Sequence, residues 1–162
     1  MQIRPLGRPG DLGWVVTAHG ELYAREFGWD TSFEALVARI VADFAAKHDP
    51  AREQAWIAEL DGRRAGCVFC VQDDEPGTAK LRILLVHPDA RGHGLGTQLV
   101  DTCTVFAREA GYERLRLWTN DVLAAARRIY LAAGFRLVAE APHPSFGVDL
   151  VGQDYALDLR SG

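Results

Sequence analysis

The stretch that most restricts this chain is Leu81-Arg82-Ile83-Leu84-Leu85-Val86-His87-Pro88, followed by Asp89-Ala90-Arg91-Gly92-His93-Gly94-Leu95-Gly96-Thr97. Its first half is a short apolar run with the length of a buried strand. Pro88 has no N–H to give a sheet ladder, so pairing ends near it. The glycines permit a tight turn and a close backbone approach to a ligand. Beyond them Leu95, Leu99, Cys103, Phe106 and Ala110 recur on one helical face. Strand, glycine turn and helix N-terminus in succession make an anion site. The first-turn N–H groups have no intrahelical partner, and the helix dipole adds to them. Phosphate is the guest that suits it.

Two common phosphate motifs do not fit. A Walker A loop ends in Gly-Lys-Ser/Thr, and no such triplet follows Gly96. A dinucleotide fingerprint starting at Gly92 would need glycine where Thr97 stands. The residues spell Arg-x-x-Gly-x-Gly instead, filled by Arg91, Gly94 and Gly96.

With 162 residues the chain suits one domain, 1–162, with a real core. Lys and Arg total 18 against 22 Asp and Glu, so no net basic field favours nucleic acid. No apolar run reaches membrane-span length and residues 1–20 lack a signal-peptide pattern, so the expectation is a cytoplasmic protein with no membrane partner. Cys67 and Cys70 are three apart on a strand-like segment and face opposite ways, while Cys103 lies on a helical stripe. All three read as small buried hydrophobes, with no metal site.

Taken in order, Gln2–Leu6 reads as a strand, and Asp11 is placed to cap a helix from Leu12 to about Phe27. That helix carries His19, Tyr23 and Glu26 beside its apolar stripe. They sit either at the edge of a buried face or on the wall of a small-molecule pocket. Thr31 or Ser32 caps a second, packing helix with Leu36, Ile40 and Phe44. Gln54–Leu60 and Arg64–Val71 form a hairpin across Asp61-Gly62. After the glycine-loop helix, Leu115–Thr119 is a strand parallel to the central one, since a helix joins them. A helix starting at Asn120-Asp121 ends at Gly134-Phe135. Strands at 136–141 and 153–159 close the chain, with Pro142–Gly147 a loop that covers one side of a site.

The Arg91–Gly96 loop, this order of elements, Asn120 after the fifth strand and Tyr130 four residues before Gly134 together resemble the GCN5-related N-acetyltransferases, the GNAT superfamily. That fold is α/β (α+β): a mixed central sheet of about seven strands flanked by four helices, splayed between strands 4 and 5. His19-Gly20, Tyr23, Glu26-x-Gly28-Trp29, Leu117-Trp118-Thr119-Asn120 and Ser145-Phe146-Gly147 resemble a bacterial subgroup. Its members are often the acetyltransferase half of MarR–GNAT fusion proteins. No chain remains here for a winged helix, so a DNA-binding role is expected to be lost or carried elsewhere.

The resemblance implies an acetyl-CoA-dependent N-acetyltransferase with direct transfer to the amine of a small molecule or amino acid. It implies that the amides of Arg91, Gly92, His93, Gly94, Leu95, Gly96 and Thr97 hold the pyrophosphate. Leu84, Leu85 and Val86 then bond the pantetheine like an added strand, with Asn120 and Ala126 beside it. Asn120 either donates to the cofactor or caps a helix. Tyr130 touches the cofactor as the general acid for the departing thiol, or is a core tyrosine. Glu26 or His19 stands where the central strand offers no glutamate as base, and either can equally bind the substrate ammonium. His19, Tyr23, Glu26, Trp29 and Phe146 would form the substrate pocket, and Glu26 with Asp30 point to a cationic amine. The rival reading is a non-catalytic acyl-CoA-binding module. A homodimer through a sheet edge or helix face is compatible with the sequence.

Overall fold

The computed structural model describes residues 1–160. The chain runs β1 (Gln2–Pro5), α1 (Asp11–Phe27), α2 (Thr31–Lys47), β2 (Gln54–Leu60), β3 (Arg63–Gln72), β4 (Thr78–Val86), α3 (Leu95–Glu109), β5 (Arg114–Asn120), α4 (Ala124–Ala132), β6 (Arg136–Ser145) and β7 (Val148–Asp158). A single 3-10 turn, Pro88–Ala90, joins β4 to the glycine loop. The seven strands form one sheet in the order β1-β2-β3-β4-β5-β7-β6. Among the described residues, β4 and β5 are the one parallel pair. This is the mixed, four-helix architecture that the element order implied.

Side-chain alternation along β3 divides the core. Cys67 and Phe69 face α1 and α2, where Val15, Leu22, Val37, Val41 and Phe44 cover the sheet. Val68 and Cys70 face α3, where Leu95, Leu99, Val100 and Cys103 cover the other side. The thiols of Cys67 and Cys70 therefore lie on opposite faces, and all three cysteines are free and buried.

The sheet opens at one place. β4 pairs with β5 only through Thr78↔Arg114, Ala79↔Leu115 and Lys80↔Arg116. Beyond Lys80 the two strands have no common ladder. A bulge accompanies the split, because Cys67 pairs with Leu85 and Phe69 with Arg82, leaving Val68 opposite both Ile83 and Leu84. Ile83 adopts a left-handed φ of 56°, an uncommon conformation for a β-branched residue. Its carbonyl accepts from Cys67 Sγ at 3.3 Å. The bulge bends β4 away from β5, and one edge of residues 81–86 is left without a strand partner.

Four local expectations are corrected. Asp11 does not cap α1, since Gly10 precedes the helix at φ 92° with no side-chain cap. The Asp11 carboxylate is instead fully buried, accepting from Arg4 at 2.9 and 3.0 Å and from Arg64 Nε at 2.8 Å. α2 is capped by Asp30, whose side chain accepts from Ser32 N, and not by Thr31 or Ser32. α4 starts at Ala124, because Asn120–Leu123 forms a turn closed by Leu123 N–H to Asn120 O. The stretch Pro142–Ser145 is strand, paired to β7 as far as Ser145↔Val148. Pro142 and Pro144 are tolerated because β6 is an edge strand, where alternate N–H groups face away from the ladder. The hairpin turn is only Phe146-Gly147, with φ 58° and 83°, the signs of a type I′ turn.

Candidate active site

Two cavities meet at the β4–β5 split. The first is a cleft of about 620 Å³ between the glycine loop, the end of β4 and α4. It is bordered by Leu84, Leu85, Val86, Arg91, Gly92, Gly94, Leu95, Gly96, Thr97 and Ala126. Among the described residues, no backbone N–H from Gly92 to Thr97 donates to a protein acceptor. Gly92 (φ 88°) and Gly94 (φ 73°) both leave open space where a Cβ would stand. The N-terminus of α3 has no side-chain cap. This row of free donors at the positive end of a helix fits a pyrophosphate. The unpaired edge of β4 fits an extended amide-bearing chain, in the manner of an added strand.

Arg91 borders the cleft and pairs with Glu26, Nη2 to Oε1 at 2.7 Å. Glu26 therefore lies on this cleft and does not border the second cavity. The His93 side chain folds back on the loop, with Nδ1 donating to Ala90 O at 3.1 Å, while its backbone N–H stays free with those of its neighbours.

The second cavity, about 350 Å³, lies between α1, α2, β4 and the β5–α4 turn. It gathers His19, Tyr23, Trp29 and Phe146 with Asn120 and Tyr130, while Tyr23, Leu84 and Leu123 border both cavities. The aromatic wall is a tight cluster. Tyr23 stacks on Phe33 at 4.9 Å, and Phe146 reaches Trp29 at 4.8 Å and Phe33 at 5.0 Å. Asp30 N–H donates to Phe146 O at 2.9 Å, so the β6–β7 turn is docked on the α1–α2 junction. The Asp30 carboxylate is engaged there, capping α2 and lying against Gly147.

His19 is 1% exposed, and its Nδ1–H donates to Val15 O at 2.7 Å. The other nitrogen, Nε2, is then a lone-pair acceptor. Burial pushes this imidazole down to about 4, against the pull of the Val15 carbonyl, so it is neutral at physiological pH. Neither His19 Nε2 nor Trp29 Nε1 has a partner among the described residues, and both residues border this cavity. These two polar atoms carry unused hydrogen-bonding capacity, one acceptor and one donor, on the cavity wall.

Tyr130 is buried, and its hydroxyl makes no hydrogen bond among the described residues. Burial raises its ionisation well above the ordinary tyrosine value, with Tyr23 and Cys103 adding to the shift. It stays protonated throughout the physiological range, which suits an acid. Asn120 Oδ1 accepts from His143 Nε2 at 2.9 Å, which leaves the Asn120 amide N–H groups free to donate. The other ring nitrogen, Nδ1, lies 2.7 Å from Ser145 Oγ. Sequence reasoning missed Lys80 and Arg82 on this cavity's wall. Strand alternation alone could have placed them on one face of β4.

A split parallel pair with a donor loop at its mouth is the arrangement that the resemblance to the N-acetyltransferases implied. The family model for the acetyltransferase (GNAT) family matches residues 17–135, and the chain belongs to that family. It is 31% identical over 115 residues to an uncharacterized N-acetyltransferase of Schizosaccharomyces pombe, covering 70% of each chain. Human N-acetyltransferase 8B is 30% identical over 90 residues, and that match spans 53% of this chain but only 40% of the human protein. Among solved structures, yncA from Salmonella typhimurium, solved with its cofactor acetyl-CoA, superposes with a TM-score of 0.77 at 20% identity, covering 98% of this chain and 94% of that one. Acetyl-CoA is the cofactor of this family, and the cleft has the donors to hold it. Among the described residues no helix is long and apolar enough to cross a membrane, and no cluster could hold a metal ion.

Proposed function

We propose that this protein is an N-acetyltransferase that moves an acetyl group directly from acetyl-CoA to the amine of a small molecule or amino acid. The observation that carries this reading is the meeting of the two cavities at the β4–β5 split, with the protonated Tyr130 on the acceptor side. Acetyl-CoA supplies the acetyl thioester. The amides of residues 92–97 hold its phosphates, and the free edge of β4 aligns its arm towards the split. The amine enters from the second cavity in its neutral form, and a bond forms between its nitrogen and the acetyl carbon as the carbon–sulfur bond breaks. Tyr130 gives its hydroxyl proton to the departing sulfur, while the proton lost by the nitrogen passes to solvent, from which the Tyr130 phenolate is reprotonated. Asn120 borders the second cavity rather than the cleft, and in this reading its amide donates to the end of the cofactor arm where the two cavities meet. His19 Nε2 offers a hydrogen-bond acceptor to the incoming amine, and its low basicity suits that role better than proton abstraction.

The likeness to the acetyltransferase half of MarR–GNAT fusion proteins and a cytoplasmic location are part of this reading, as is a possible homodimer. The test is thiol release from acetyl-CoA against a panel of amines, in the native protein and in Tyr130→Phe. Turnover that falls about 100-fold or more in the variant, with an unchanged melting shift on CoA addition, supports the enzyme. CoA binding without thiol release for any amine would instead leave the non-catalytic acyl-CoA-binding module.

A further inference from the structure

The charges around the acceptor cavity are one-sided. Lys80 and Arg82 border it, and no aspartate or glutamate does. The carboxylates that might have balanced it are engaged elsewhere. Asp73 lies 3.5 Å from Lys80 and 3.4 Å from Arg116, Asp30 caps α2, and Glu26 holds Arg91. Arg82 is left over. It is half-buried on β4, and no carboxylate among the described residues lies within 4.0 Å of its nitrogens. The charge it feels is that of Asp43, on the exposed side of α2, while burial works against its ionisation. Its guanidinium nitrogens are open to solvent on the cavity wall, so their donors are free to meet an anion there.

Position adds to charge. Arg82 stands two residues before Leu84, which borders both cavities, and immediately before the bulge at Ile83. An amine placed at the split therefore has a cation a few ångströms back along β4, and an apolar box of Trp29, Phe33 and Phe146 beside it. At about 350 Å³ the space is of amino-acid size. We propose that the acceptor is a carboxylate-bearing amine of the amino-acid class, its carboxylate bound by Arg82 and its apolar side chain held in that aromatic box. The guanidinium fork matches a carboxylate with two parallel hydrogen bonds, which an ammonium cannot reproduce. This rests on the acetyl-transfer reading and reverses the expectation of a cationic acceptor drawn from Glu26 and Asp30.

The experiment compares each standard L-amino acid with its own C-terminal amide, which keeps amine and side chain but removes the negative charge. Binding is measured by calorimetry with CoA present, and acetylation by thiol release, in the native protein, Arg82→Gln and Arg82→Lys. The expected result is at least one apolar amino acid binding tenfold or more tighter than its amide. That ratio collapses in Arg82→Gln and is partly kept in Arg82→Lys, while CoA affinity is unchanged in both. Amides that bind as well as or better than the acids, no binding by any amino acid, or a ratio that survives Arg82→Gln overturns the proposal. A carboxylate preference in binding with no thiol release would retain the anion site while sinking the acetyl-transfer reading. An Arg82→Gln protein that loses CoA binding as well is judged by Arg82→Lys, where a partly kept preference supports the proposal, and none, or one equal to native, overturns it.

Discussion

Arg91 and Glu26 are 65 residues apart in sequence, yet form an ion pair of 2.7 Å across the cofactor cleft. The pair holds a guanidinium at the mouth of the phosphate loop, and it also places a carboxylate where an anionic cofactor must arrive. Arg91→Ala is expected to weaken CoA binding about tenfold or more, the range of a charge-assisted hydrogen bond. Glu26→Gln should leave CoA affinity equal or tighter, with turnover nearly intact. Calorimetry with CoA and steady-state kinetics check both. A turnover loss of about 100-fold in Glu26→Gln would restore it as the base.

Phe146 sits at φ 58° in a turn type that favours Asn or Gly at that position. Its backbone strain is held by the ring's contacts with Trp29 and Phe33. Phe146→Gly relieves about 1 kcal/mol of left-handed strain but removes those contacts. Tm should thus fall by a few degrees, the relieved strain offsetting part of the lost contacts, while KM for the acceptor rises several-fold. A large fall in Tm with KM unchanged would mean that the ring only packs.

Burial of neutral His19 links folding to pH. Its folded value is near 4 against about 6.5 unfolded, so between those values the unfolded chain binds the extra proton. Its contribution is fully present above about pH 6.5 and is lost as pH falls towards 4, amounting to about 3 kcal/mol. Urea unfolding at a series of pH values should show this slope, and His19→Gln should flatten it.

Asp11 joins three segments. Its buried carboxylate binds Arg4 in β1, Arg64 in β3 and the amides of Gly7 and Arg8. Arg4 holds it well below the usual carboxylate range, opposing its burial. Asp11→Ala leaves the buried Arg4 without its main partner and should cost about 3–5 kcal/mol. In the native protein this contribution is present above about pH 4 and fades as pH falls below that value. Denaturant midpoints at pH 7 measure the first effect. A loss under 1 kcal/mol would show that Glu59, 3.4 Å from Arg4, suffices alone.

Whatever depends on neighbours in sequence was legible from the residues themselves. The 3.6-residue stripes set α1–α3, the Asp61-Gly62 pair set the β2–β3 hairpin, and the glycine spacing after Val86 set the anion loop. Local propensity misled where a distant group competed for a side chain. Asp11 looked like a cap until two arginines claimed it, and Pro142–Ser145 looked like a loop because its place on the sheet edge could not be seen. The site divides the same way. The loop glycines follow from local order, and Asn120 and Tyr130 came from the resemblance to a family. The assignment of charges to cavities does not, because it depends on how the split sheet, α1 and the β6–β7 turn close on one another. Only tertiary structure puts Glu26 against Arg91 and leaves Arg82 unpaired, since the partner of a charge is chosen across the fold. The sequence alone therefore determined the fold and the glycine loop, and the packing decided which face of β4 lines the second cavity and with what charge.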